Sequence, residues 1–410
     1  MPSLDLKNKH VCIVGANVGQ CKDVYRVLEP YTASCEMVVS ANLKNNGDKN
    51  PLNLSVFYHL SRAIFLSANA EKSFSCMFAA RYRKYKKWTL IYRLIYYTRN
   101  QVLASIIFSW LETVFIYVQK LQASREGSKR RYDVVIYCGI FSTDIELKSY
   151  FAAINDGSTK IYWPVNWDNA HSKLPNFVQF DKTIFWSNYQ MDSLSGQKFF
   201  GHGIVKRHPR LVDPKYIRTT RRSGQYILFA MSQKSNKSIS VVFKELQNLS
   251  KTTDFDIVVR PHPNNVLKPS DEKLIEEYGL FLDSAYVKFL RENRLGGVPG
   301  SCSNFLASSK KSLLEHFRRI SLLLCEAGTL CLEARSIGIP VGIIATNRWQ
   351  ITARNFLHFD HFRPLTQRIG IHIVLNDEFS HDLAIWLKQL DENLPTIDDI
   401  VSSDTEYVMQ

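Results

Sequence analysis

Short apolar runs rich in β-branched residues alternate with stretches of helical period through most of the chain. KHVCIVG (9–15) predicts a buried first strand, followed by a helix to about Leu28 and a second strand over CEMVVS (35–40). The alternation resumes after residue 131 with predicted strands YDVVIYC (132–138), KIYWPVNW (160–167) and KTIFWSN (182–188). A polar, basic stretch from Pro209 to Gly224 reads as a linker. Beyond it come the strand YILFAM (226–231), a helix over 238–249, the strand DIVVR (256–260) and a helix over 270–278. RISLLLCE (319–326), a helix over 329–337 and PVGIIA (340–345) complete the second half, with one more amphipathic helix over 378–393. Apolar runs that do not alternate with polar residues suit strands covered on both faces. Strand–helix alternation in both halves therefore predicts an α/β protein with two parallel-sheet, Rossmann-like domains.

At 410 residues the chain exceeds what a single hydrophobic core fills, which agrees with two domains. The expected division is 1–212 for the N-terminal domain, 213–376 for the C-terminal domain, and 377–410 as a helix and tail returning to the N-terminal domain. Residues 55–124 interrupt the alternation and predict a helical insertion in the first domain. Within it, residues 81–99 carry seven Lys/Arg interleaved with Trp88, Tyr92, Tyr96 and Tyr97. The apolar run 101–121 is nearly long enough to span a bilayer. However, Gln101, Ser105, Ser109, Glu112 and Gln119 form a polar stripe on it, which fits an amphipathic or partly buried helix.

The net charge of +14 suits nucleic acid, anionic lipid or phosphorylated substrates without choosing among them. No RNP, KH or helix-turn-helix pattern accompanies the basic residues, so nucleic acid is not the expected partner. Eight scattered Cys, with no C-x-x-C pair and no His cluster at metal spacing, fit a reduced cytoplasmic protein without structural zinc. The N-terminal stretch lacks the basic-then-apolar layout of a secretory signal.

The turn Gly15-Ala16-Asn17-Val18-Gly19 follows the first strand but is not the dinucleotide fingerprint. The sharper chemistry lies in the second half. Arg260-Pro261-His262-Pro263 ends a strand with a guanidinium and an imidazole on a stiff backbone. Gly328-Thr329 opens a helix, where backbone N–H groups and a hydroxyl can meet an anion. Glu333 lies on the same helix face, within reach of ribose hydroxyls. Arg260, His262, Gly328, Thr329 and Glu333 are therefore candidate nucleotide contacts. In the first half, Asp144 and Glu146 follow one predicted strand, and Asp168, Asn169, His171 and Lys173 follow the next. Such polar density at strand ends marks site loops. Asp144, Glu146 or Asp168 would act as general base on an acceptor hydroxyl, with His262 the other candidate catalytic residue. No D-x-D-like metal motif is present, and no metal or cofactor is expected. His208-Pro209, with no predicted strand before it, reads as part of the linker.

These segments resemble, in order, those of bacterial surface-polysaccharide glycosyltransferases of the GT-B type. WDNAHSK (167–173), FWSNYQ (185–190), RPHP (260–263), the G-T-x-x-x-E-A helix with its following G-x-P-V, and NFLHFDHF (355–362) carry the likeness. The His-Pro element is also similar to that of sialyl- and Kdo-transferring enzymes and CDP-glycerol glycerophosphotransferases, where it contacts nucleotide phosphates. The resemblance implies two Rossmann-like domains facing a central cleft, the first binding acceptor and the second the nucleotide sugar. It implies a CMP- or CDP-activated donor, Kdo-like or otherwise acidic, and a lipid-linked surface polysaccharide or O-antigen acceptor. Location at the cytoplasmic face of the inner membrane would follow, with residues 81–99 on the anionic surface. A CDP-glycerol-type transferase and a sugar-nucleotide epimerase on the same fold are the alternatives, with a non-catalytic basic adaptor more distant. Two departures stand out. Glu326 and Glu333 have six residues between them where retaining enzymes often have seven. Ser232 and Gln233, counted with the donor-sugar loop, stand where retaining Kdo transferases of the capsule type place an Asp.

Overall fold

A non-alternating apolar strand is stable only if both of its faces are covered, and that condition shapes both halves of this chain. The computed structural model describes residues 4–15, 18–39, 132–138, 157–165, 180–194, 201–211, 225–231, 239–262, 267–292, 311–325, 329–344, 371–374 and 379–389. The insertion 55–124 lies outside them. The chain forms two compact units, one reaching Arg210 and the other beginning at Leu211. Each is built on a six-stranded sheet. Every strand pairing in both sheets is parallel, as the alternation predicts.

The first sheet contains β1 (His10–Gly15), β2 (Ser34–Val39), β3 (Val134–Tyr137), β4 (Thr159–Tyr162), β5 (Lys182–Phe185) and β6 (His202–Val205). Their spatial order is β2-β1-β3-β4-β5-β6. Helices α1 (Val18–Leu28) and α2 (Asn188–Leu194) belong to this unit. Carboxylates occupy the amino ends of its strands. Asp133 Oδ2 accepts from the His10 N–H at 2.7 Å, and Asp181 Oδ2 accepts from the Lys160 N–H at 2.7 Å. These bonds satisfy backbone donors where the ladder begins.

The second unit runs β7 (Tyr226–Ala230), α3 (Ile239–Thr253), β8 (Asp256–Arg260), α4 (Pro269–Glu277), β9 (Phe281–Leu282) and α5 (Ser284–Glu292). It continues with β10 (Ile320–Cys325), α6 (Thr329–Arg335), β11 (Val341–Ile344), β12 (Ile371–Val374) and α7 (Phe379–Gln389). The strands lie in the order β12-β11-β10-β7-β8-β9. Counted from β7, this is the doubly wound order 3-2-1-4-5-6. All six residues of β10 are buried, and β7 and β8 carry Ile227, Phe229, Ile257 and Val259 into one core.

Three strands were not predicted from the sequence: β6, β9 and β12. All three are sheet edges. An edge strand pairs on one side only and can be short, so its apolar signal is weak. β4 also stops at Tyr162, short of the predicted 160–167, just before Pro164, which has no N–H to give a ladder.

Helix α7 departs from the expectation that the chain after 377 returns to the N-terminal domain. Phe379, Leu383, Ala384 and Leu387 are buried in the core of the second unit. Ser380 Oγ donates to Glu245 Oε2 of α3 at 2.7 Å. Burying Phe379, Leu383 and Leu387 stabilises this docking by roughly 5–9 kcal/mol.

Helix α6 ends in a Schellman turn. The Gly338 N–H donates to the Arg335 carbonyl at 2.9 Å and the Ile339 N–H to the Ala334 carbonyl at 3.2 Å. Gly338 has φ +84°, a conformation an L side chain resists. Gly338→Ala should therefore lower stability by about 1–2 kcal/mol in urea unfolding, with an unchanged far-UV spectrum.

Candidate functional site at the carboxyl edge of the second sheet

A doubly wound sheet reverses its winding once, and ligands lodge at the carboxyl ends of the two strands that flank the reversal. Here those strands are β7 and β10. β7 ends at Ala230, β10 at Cys325, and β8, on the other side of β7, at Arg260. His262 lies two residues beyond β8, and α6 begins at Thr329, four residues beyond β10. Strands sit about 4.8 Å apart, so the ends of β8 and β10 are roughly 10 Å apart with β7 between them. That separation suits a phosphate-bearing group. Ser232 and Gln233, which follow β7, and Gly328 lie outside the described residues. Of Thr329, only the backbone placement at the start of α6 is described. Glu333 is part-buried one turn further along α6, and its carbonyl accepts from Ser336 Oγ at 2.8 Å.

His262 is half-buried behind the buried Pro261. Burial pushes its pKa below the ordinary imidazole value. At neutral pH the ring is therefore uncharged, with one N–H to donate and one nitrogen to accept.

Arg260 does not share that position. Its side chain is buried, and Nη1 donates to Asp283 Oδ2 at 2.7 Å and to Ser312 Oγ at 3.0 Å. The guanidinium carbon stands 3.5 Å from the Tyr286 ring centroid. Asp283 also caps α5, with Oδ1 accepting from the Tyr286 N–H at 3.2 Å. Oδ2 lies 2.8 Å from His316 Nε2, and His316 Nδ1 lies 2.6 Å from the Tyr226 hydroxyl. With Asp283 ionised, Nε2 carries the proton it donates. Burial by itself would raise the Asp283 pKa; the His316 hydrogen bond and the Arg260 charge outweigh it and hold the carboxyl below its ordinary range. The seam from Arg260 through Asp283 and His316 to Tyr226 fastens α5 and helical residues 311–317 to the sheet. Arg260 thus anchors the strand end from which His262 projects.

In the first unit, Asp144, Glu146, Asp168, Asn169, His171 and Lys173 lie outside the described residues, but the frame holding their loops is clear. Asp144 and Glu146 come after β3, and Asp168 with its neighbours after β4. The carboxyl ends of β4, β5 and β6 are closed by aromatic rings. His208 stacks on Trp186 at 4.7 Å between centroids and meets the Trp163 ring edge-on at 5.8 Å. Trp186 Nε1 donates to the Pro164 carbonyl at 2.9 Å. Ser187 and Gln190 cap α2: Ser187 Oγ accepts from the Gln190 N–H at 3.1 Å, and Gln190 Oε1 accepts from the Trp186 N–H at 2.8 Å. FWSNYQ is thus a strand end joined to a helix cap. The linker reading of His208 is overturned: β6 directly precedes it and its ring is buried.

No protein-family model matches the chain, and no curated protein matches it. Solved structures do. The lipopolysaccharide outer core galactosyltransferase WaaB is 12% identical with a TM-score of 0.42, covering 97% of this chain and 96% of that one. A Listeria monocytogenes protein assigned as a UDP-N-acetylglucosamine 2-epimerase is 11% identical with a TM-score of 0.45, covering 99% and 93%. MnaA of S. aureus, solved with UDP, is 14% identical with a TM-score of 0.39, covering 95% and 99%. Likeness at this level leaves the functional reading to the chain's own residues. Among the described residues, no cluster of three or more His, Cys, Asp or Glu could hold a metal ion.

Asp283→Asn strands a buried guanidinium and should cost about 3–5 kcal/mol of stability. In the parent protein, the Asp283 contribution is complete above the unfolded carboxyl pKa near 3.9 and disappears as pH falls through the lower folded value. Urea melts between pH 3 and 7 should therefore give a shallower acid loss in the variant; equal slopes would remove Asp283 from the ledger.

Proposed function

We propose that the protein is a GT-B-type glycosyltransferase that moves a sugar from a nucleotide donor to a glycan acceptor. The observation that carries this reading is the strand order of the second sheet. It sets His262 and the start of α6 on either side of the β7 carboxyl end. In the reaction, the bond between the sugar's anomeric carbon and the donor phosphate oxygen breaks, and a bond to an acceptor oxygen forms. Negative charge grows on the departing phosphate, where an N–H of His262 donates to it. The acceptor hydroxyl loses its proton to a carboxylate of the first unit, Asp144, Glu146 or Asp168. Glu333 accepts hydrogen bonds from the ribose, and Ser232, Gln233, Asn169, His171 and Lys173 are the further residues assigned to the acceptor and the donor sugar.

The finer reading is a CMP- or CDP-activated acidic sugar passed to a lipid-linked surface polysaccharide, with no metal required. The resemblance of the His-Pro element to cytidine-dependent enzymes supports the donor, and the +14 charge suits an anionic substrate. Among the described residues, no helix is long and apolar enough to cross a membrane. The meeting with a lipid-linked acceptor is assigned to residues 81–99, where each Lys or Arg near an anionic surface contributes about 1 kcal/mol.

His262→Ala should reduce transfer by about two to four orders of magnitude while leaving the fold intact. CMP, CDP, UDP, UMP and GDP are first compared by thermal shift, since a ligand that binds only the folded state raises the melting temperature. A cytidine nucleotide should give the largest shift. No shift with any nucleotide, or an unchanged rate in the variant, would overturn the assignment. Conversion of a nucleotide sugar to its epimer without acceptor would move it to the isomerases. Liposome co-sedimentation tests the surface: binding should be selective for anionic lipid and should weaken with salt. Equal pelleting with neutral lipid would leave 81–99 as an ordinary solvated face.

A further inference from the structure

Two thiols meet beside the winding reversal. Cys325 is the last residue of β10 and Cys331 the third of α6, and both are buried. Their sulfurs are 3.2 Å apart. All six described cysteines are free thiols, Cys325 and Cys331 with Cys12, Cys21, Cys35 and Cys138 of the first unit. A disulfide needs the sulfurs at about 2.05 Å, so roughly 1 Å of approach separates this contact from a bond.

We infer that Cys325 and Cys331 form a redox modification site whose oxidation to a disulfide fixes the start of α6 against the end of β10 and weakens nucleotide binding there. The effect on ligand rests on the nucleotide reading of that site given above; the bond itself does not. The cross-link would tie the β10 end to the first turn of α6 and shut residues 326–330 into a small covalent loop. The start of α6, where the nucleotide reading seats a phosphate, would then be held in one position. The step balances with oxidised glutathione as acceptor. One cysteine thiolate attacks it and expels a reduced glutathione thiolate, leaving a mixed disulfide. The second cysteine then displaces the other glutathione, so two electrons and two protons leave the protein. Because both sulfurs are buried, the first attack waits for α6 to open at its first turn. A nucleotide seated there would slow it.

The full-length protein is incubated with excess oxidised or excess reduced glutathione and its remaining thiols are alkylated in denaturant. Non-reducing peptide mass spectrometry then maps the bonds. Oxidation should yield a peptide pair joined through Cys325 and Cys331, with the first-unit thiols alkylated. Nucleotide affinity, read by thermal-shift titration, should fall at least about tenfold in the oxidised form and return on reduction. In C331S, or in C325A should that variant fold better, oxidant should leave affinity unchanged. Absence of the cross-link overturns the inference, as does a cross-linked protein of undiminished affinity. A reduced protein that binds no nucleotide while the cross-link forms overturns the functional reading and leaves the modification site standing.

Discussion

A parallel sheet covered on both faces leaves chemistry one place to occur, at its ends. Its backbone donors and acceptors are used in the ladder, and its side chains are used in the core. In the second unit this constraint is severe, since β10 has no exposed residue and β7 and β8 send Ile227, Phe229 and Val259 into the same core. Any polar work must be done by the residues that follow Ala230, Arg260 and Cys325. Helix starts, stiff prolines and loop carboxylates gather there because the interior has no room for them. The amino ends carry the complementary task in the first unit, where Asp133 and Asp181 satisfy the first N–H groups of neighbouring strands.

The Arg260–Asp283 pair is a buried charged interaction that reaches this edge from inside the second unit. Taking two charges out of water costs several kcal/mol per ion, and a single contact seldom offsets it. Asp283 does better because its two oxygens also accept from His316 and from the first turn of α5. The seam is best understood as fixing geometry. It sets where β8 ends and which way Pro261 and His262 leave the sheet, and its contribution to net stability is modest beside the cost of losing one partner.

The sequence made the central strands and their parallel pairing legible because their apolar runs are long and uninterrupted. It concealed β6, β9 and β12, since an edge strand needs few apolar residues to hold its place. It also told only part of the story at two residues. Arg260 reads as a phosphate contact at a strand end, and that reading does not include its buried ion pair. Its partner is 23 residues away, across β9, and no local pattern announces it. A faint signal existed: an Asp directly before a helical run, as in Leu282-Asp283-Ser284, suggests a cap, and a cap is buried when its helix is. The two His-Pro pairs were separated by whether a strand preceded them, and both in fact follow strands. What separates them is depth and ring contact. His208 is fully buried against Trp163 and Trp186, whereas His262 is half-buried and burial lowers its pKa.

That difference bears on how the site can favour a transition state. A permanent cation at the crevice would hold donor and departing nucleotide with similar strength, and uniform binding does not speed the chemical step. A half-buried imidazole kept neutral by its surroundings responds differently. Facing a phosphodiester it offers only an N–H. As the sugar departs and charge concentrates on the phosphate, the same surroundings that resisted protonation strengthen the attraction to a proton on the ring. The overall charge of +14 gathers anions from a distance and is weakened by salt. On the proposed reading, the uncharged ring at the strand end would discriminate at contact range. Burial of His262 would then link the packing of the second sheet to the proposed reaction, because an N–H withdrawn from water interacts more strongly with charge growing on the leaving phosphate.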